Sequence, residues 1–177
     1  MEIRHTRQGN ENRDMSVQPG KQRVLFVCLG NICRSPLAQG VFLHQVAEAG
    51  LGERFDADSA GTAAWHIGKT PDPKSISAAA RRGIDLTTQR ARQVSQDDFS
   101  AFDLILAMDQ ANHAALREIA PDEHAHKVRL FLDDLHDKSA REVPDPYYGG
   151  DDGFEQVLDL IEDGTRALLS RLNQLER

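Results

Sequence analysis

Val24-Leu25-Phe26-Val27-Cys28-Leu29-Gly30-Asn31-Ile32-Cys33-Arg34-Ser35-Pro36 is the stretch that decides how this chain folds. Its first part is an apolar, β-branched and aromatic run, the pattern of a strand buried in a parallel sheet. Ser35 and Pro36 at its end are start signals for a helix, the serine as N-cap and the proline at the first helical position. The segment between therefore passes from a strand end to a helix N-terminus, where backbone N–H groups point outward and the dipole is positive. Such a place holds a phosphate-like dianion. Cys28 stands at the strand end, in a field that favours its thiolate, and Arg34 follows six positions later. Gly30 and Asn31 suit positive φ. A lone cysteine at a strand end is usually a small buried hydrophobe. Strand, loop, arginine and capped helix together point instead to attack of a thiolate on a bound phosphoryl group.

Outward from this stretch, strands are read over residues 23–28, 55–60, 102–108 and 127–132. Helical spacing alternates with them over 35–49, 73–82 (closed by Gly83), 97–101 and 109–119. A last helix runs from Gly153 to the C-terminus, with Phe154, Leu158, Ile161, Leu168, Leu172 and Leu175 along one face. Gly164 inside it costs ~1 kcal/mol against alanine. Alternating strands and helices imply an α/β fold, a doubly wound four-stranded parallel sheet flanked by helices. Ligands of such sheets bind beyond the carboxyl ends of the strands, which puts the phosphate-binding loop after the first strand at the expected place. Residues 1–20 lack an apolar core and read as a disordered extension; residues 21–177 read as one domain.

The chain has 177 residues, 40% hydrophobic and 28% charged, as an ordinary globular protein has. No apolar run approaches the ~20 residues of a membrane span, and no secretory signal is visible. The two cysteines, Cys28 and Cys33, both lie in the loop, so there is neither a disulfide framework nor a cysteine-based metal pattern. A reducing cytoplasm is the expected compartment. His124 and His126 read as a solvated face, and no metal or other cofactor is expected. A net charge of −7 argues against nucleic acid as the partner. Acidity is concentrated between Leu132 and Asp163, with eleven Asp or Glu against Lys138 and Arg141. An anionic substrate must therefore be held by local donors.

Metal-free hydrolysis of a phosphomonoester needs a nucleophile, a dianion cradle and a proton donor. Cys28 is the candidate nucleophile. Arg34 offers a planar fork that holds two phosphoryl oxygens, which lysine cannot do. The amides of Leu29, Gly30, Asn31, Ile32, Cys33 and Arg34 supply further donors, and Ser35 can donate to the thiolate while capping the helix. The candidate acid is Asp145, in Val143-Pro144-Asp145-Pro146-Tyr147-Tyr148-Gly149-Gly150, where two prolines hold the backbone.

These two motifs resemble the signature loop and the general-acid loop of the low-molecular-weight protein tyrosine phosphatase family. Asp58-Ser59-Ala60-Gly61-Thr62, Trp65, Pro71-Asp72-Pro73 and Ala91-Arg92-Gln93-Val94 match it in order between them. The resemblance implies a phosphocysteine on Cys28, phosphate held by Arg34, and Asp145 as acid and then as activator of water. It implies that Trp65, Tyr147 and Tyr148 wall the pocket, with Leu29 and Ile32 near its base, and that Asn31 and Ser59 steady the loop. The partners implied are phosphotyrosine-containing proteins, with inorganic phosphate or a similar oxyanion in the loop. One departure stands out: where well-known members carry a histidine in the Asn–Ser network, this chain has Arg82, which cannot accept a hydrogen bond.

Three other functions compete. Arsenate reductases of this fold pass their adduct to two further cysteines, and this chain has none after Cys33. Protein-arginine phosphatases resemble it with threonine where Ile32 stands, and the apolar side chain favours an aryl ring. A catalytically silent phosphotyrosine-binding module would usually have lost the nucleophile, the arginine or the acid, and all three are present. Cys28 and Cys33, flanking four residues of one tight loop, also suggest a redox pair.

Overall fold

The computed structural model describes residues 20–175. The extension expected over residues 1–20 lies, Gly20 apart, outside the described residues. Four strands, β1 (Gln22–Cys28), β2 (Phe55–Gly61), β3 (Leu104–Ala107) and β4 (Val128–Leu130), form one parallel sheet in the order β2-β1-β3-β4. The chain moves from β1 to β2 on one side and then crosses to β3 on the other. The switch point thus falls at the end of β1, beside Cys28.

Alternation along β1 explains the two layers. Val24, Phe26 and Cys28 face one core, built with α1 (Arg34–Glu48), α2 (Pro73–Ala80) and α5 (Gly153–Gln174). Leu25 and Val27 face a second core with α3 (Gln96–Ala101) and α4 (Gln110–Ile119). A central strand with both faces covered must be apolar throughout, which is the pattern seen.

Three expectations on local structure need correction. The first helix begins at Arg34 with Cys33 at its N-cap, not Ser35, and no side chain caps it. Ser35 is fully buried and its hydroxyl is engaged inside the loop. The third strand is shorter at both ends than 102–108. The fourth stops at Leu130, where the chain turns into a 3-10 helix over Phe131–Asp134. Phe131 and Leu132 are as apolar and as buried as Leu130, so hydrophobicity alone does not mark where the strand ends. Phe131 instead wedges edge-on against Phe26, 5.6 Å between centroids.

That wedge accounts for Gly164. A Cβ there would meet Phe131 Cζ at 2.7 Å and Leu132 Cδ2 at 2.9 Å, so α5 packs this closely on the 3-10 turn because it lacks a side chain at that position. Gly61 serves the site in the same way, since a Cβ would lie 2.8 Å from the carbonyl oxygen of Leu29.

Candidate active site

The loop between β1 and α1 is held from outside by its carbonyls. Thr62 N–H donates to Cys28 O (2.9 Å), Ala63 N–H to Leu29 O (3.0 Å), Asp72 N–H to Ile32 O (2.8 Å) and Leu37 N–H to Cys33 O (3.2 Å). In a planar trans peptide the next residue's N–H points opposite to the carbonyl. The N–H groups of Leu29, Gly30, Cys33 and Arg34 therefore face the inside of the loop. Asn31 makes the bend, with a φ of 56° that few residues other than glycine and asparagine adopt readily. Its own N–H points to Cys28 Sγ at 3.3 Å, and Ser35 Oγ lies 3.0 Å from the same sulfur.

The Asn31 side chain is saturated. Its Nδ2 donates to Ser35 Oγ (2.8 Å) and Ser59 Oγ (2.9 Å), and its Oδ1 accepts from Arg92 N–H (3.0 Å). Arg92 is itself pinned. Two of its nitrogens grip the carboxylate of Asp98 at 2.9 and 3.1 Å, and Nε donates to Asp58 at 3.1 Å. Charge-assisted bidentate pairing of this kind fixes geometry as well as adding attraction.

Arg34 is only 8% exposed. Its Nη1 donates to Asp109 Oδ2 (2.7 Å) and to the Val143 carbonyl (3.1 Å), leaving Nε and Nη2 uncommitted among the described residues. Asp109 lies two residues beyond β3 and caps α4, its Oδ1 accepting from Asn112 N–H at 2.8 Å. Val143 is fully buried and its N–H donates to Met108 O at 2.8 Å, so the acid loop is rooted beside Arg34. Asp145 caps the 3-10 helix Pro146–Asp152 by accepting Tyr147 N–H on Oδ1 (2.9 Å). The Tyr147 ring packs edge-on to Phe154, 5.3 Å between centroids, and its hydroxyl donates to Asp72.

One cavity of about 230 Å³ collects these groups. Cys28, Leu29, Gly30, Ile32, Cys33 and Arg34 line its base, with Asp145, Tyr147 and Trp65 on its walls. Asn31, Ser35 and Ser59 sit behind the loop, buried, and act on it through hydrogen bonds. Tyr148 does not line the cavity and is 91% exposed.

A family model for the low molecular weight phosphotyrosine protein phosphatases matches residues 23–177. The chain belongs to that family. It is 46% identical to the low molecular weight protein-tyrosine-phosphatase of Streptomyces coelicolor, over 86% of this chain and 94% of that one. The solved structure of YfkJ from Bacillus subtilis superposes with a TM-score of 0.85 at 40% identity, covering 91% of this chain and all of that chain. Vibrio vulnificus Wzb, solved in complex with benzylphosphonate, superposes with a TM-score of 0.74 at 31% identity, covering 86% and 99%.

Within this family frame two neighbours of the loop had no sequence signal of function. His66 lines the cavity, its ring edge against Gly30, where a Cβ would meet Cδ2 at 2.9 Å. Asp109 reads in sequence as a helix cap, and only the register of β3 beside β1 brings it to Arg34. Arg82 is turned away from the loop. It reaches Glu155 (2.8 Å), Asp159 (2.8 Å) and Glu162 (3.1 Å), tying the end of α2 to α5.

Proposed function

We propose that this phosphatase hydrolyses phosphotyrosine in proteins through a phosphocysteine on Cys28. The carrying observation is the single cavity that holds Cys28, Arg34 and Asp145 between Trp65 and Tyr147. The phosphoryl dianion sits on the inward amides, with two oxygens on the free edge of Arg34. Cys28 Sγ attacks phosphorus in line, and the bond to the tyrosine oxygen breaks. Arg34 and the amides are already aimed at the equatorial oxygens, so the charge of the transition state is met without reorganisation. Asp145 gives its proton to the departing phenolate oxygen. The resulting carboxylate takes a proton from water as that water displaces the sulfur, releasing inorganic phosphate and restoring the thiolate. Ser35, 3.0 Å from the sulfur, donates its hydroxyl hydrogen to the thiolate at both ends of the cycle.

Depth sets the substrate class. A phenyl ring spans the distance from loop to rim and stacks beside Trp65 and Tyr147, whereas a serine side chain leaves the phosphate short of the amides. The expected preference for a phosphotyrosine over a phosphoserine peptide of the same sequence is roughly 10²-fold or more in kcat/KM. Equal turnover of the two peptides would overturn the aryl assignment. Benzylphosphonate bound to Wzb is a ligand of the same aryl oxyanion class.

Cys33 gives the site a second chemistry. Burial, and then the charge of Asp72, push its thiol up to about 12, so it is a neutral neighbour during turnover. Peroxide converts the Cys28 thiolate to a sulfenic acid with release of hydroxide. The Cys33 thiolate then forms the disulfide and expels a second hydroxide. Because the attacking form of Cys33 grows about tenfold per pH unit below its titration point, recovery by dithiothreitol after a fixed peroxide dose improves from neutral to alkaline pH. Cys33→Ser stays active but loses that recovery. If Cys33→Ser recovers as fully as the wild type, Cys33 is not the resolving thiol.

A further inference from the structure

The hydrogen-bond chain behind the loop does not end at Ser59. Arg92 N–H can only be received by an oxygen, so Oδ1 of Asn31 faces Arg92 and both Nδ2 hydrogens face the serines. Ser35 and Ser59 are therefore both acceptors toward Asn31, and each has one hydrogen left to give. That of Ser35 goes to Cys28 Sγ at 3.0 Å, with the Ala60 carbonyl a longer alternative at 3.5 Å. That of Ser59 goes to Gln39 Oε1 at 2.7 Å. Gln39 lies on α1 one turn beyond Ser35, so the two project from one helix face toward β2. Arg82, at the position where the resemblance implies an accepting histidine, is engaged with α5 instead.

We propose that Gln39 is a positioning residue for the nucleophile: by accepting the Ser59 hydrogen it keeps the Ser59 oxygen free to accept from Asn31, and so holds the chain Ser59–Asn31–Ser35 that ends at Cys28. Without that acceptor the Ser59 hydrogen turns toward the Asn31 amide, and two donors face each other. Asn31 then loses one of the three side-chain bonds that hold its left-handed bend, and Ser35 is no longer aimed at the sulfur. The effect reaches the reacting atoms through Ser59 alone, which distinguishes it from packing.

The proposal rests on Cys28 being the nucleophile, and its test separates the two. Wild type, Gln39→Met, Gln39→Glu, Ser59→Ala and the Gln39→Met/Ser59→Ala double variant are compared. The measurements are turnover of p-nitrophenyl phosphate and the pH profile of inactivation by iodoacetate. Gln39→Met fills much the same space and replaces the amide oxygen by a thioether, only a weak acceptor. It should lower kcat about 3- to 10-fold, the worth of one hydrogen bond, and move the inactivation profile about half a unit to one unit toward higher pH. Gln39→Glu keeps an acceptor at the same reach and should recover most of both. The double variant should be no worse than Ser59→Ala, because the two changes break one chain. A Gln39→Met profile coincident with wild type overturns the proposal, and so do losses that multiply in the double variant. If Gln39→Met folds poorly by circular dichroism, Ser59→Ala decides alone: an unshifted profile overturns the proposal. Wild-type inactivation that phosphate fails to prevent would instead count against the assignment of Cys28.

Discussion

Cys28→Ser should abolish turnover of p-nitrophenyl phosphate, by on the order of 10⁴-fold or more, while phosphate or vanadate still binds. The inward amides of the loop and the free edge of Arg34 belong to the backbone and to α1, and the substitution touches neither. What it removes is the thiol sulfur at the base of the cavity, the nucleophile of the proposed mechanism. A serine hydroxyl at that place is scarcely ionised and is a far weaker nucleophile than a thiolate. Arg34→Lys should also be severe, on the order of 10²–10³-fold, although charge is kept. An ammonium cannot bond Asp109 and the Val143 carbonyl and still present a second edge to two phosphoryl oxygens. Steady-state kinetics with vanadate binding measured in parallel decide the matter. Appreciable turnover by Cys28→Ser would sink the thiolate mechanism.

Asp145→Asn carries the second large effect, and its size depends on the leaving group. General-acid catalysis is typically worth ~10²–10⁴-fold. Phosphotyrosine, whose phenolate needs the proton, should lose activity in that range. p-Nitrophenyl phosphate departs as a stabilised anion and should lose far less. Asparagine is isosteric and can still accept Tyr147 N–H through its oxygen, so the cap that holds the loop survives the change. Equal losses on the two substrates would mean that Asp145 is needed for the shape of the loop rather than for its proton.

Much of the candidate site is visible in the sequence because it is local. Cys28, Asn31, Arg34 and Ser35 sit within eight consecutive residues, and a strand end followed by a helix start constrains what such a loop can do. Asp145 is visible because two prolines leave an acid with few conformations. The parts that are not visible are those set by strand register. Asp109 looks like any helix cap until β3 is laid beside β1, and Gln39 looks like any surface residue of a helix until Ser59 is placed opposite it. The N-cap at Cys33 escaped prediction for a related reason: Ser35 has the right chemistry to cap, but a tertiary partner, the sulfur of Cys28, claims its hydroxyl. Strand ends were blurred where the chain stays apolar past the last ladder bond, as at Phe131 and Leu132.

Val143 has the same backbone unit bound on two sides, its N–H to the end of β3 and its carbonyl to the arginine. Seen mechanically, the acid stands on a post set into the sheet rather than on a swinging door. On the proposed mechanism, a substrate that settles on Arg34 is already indexed against Asp145, two positions beyond Val143, which protonates it.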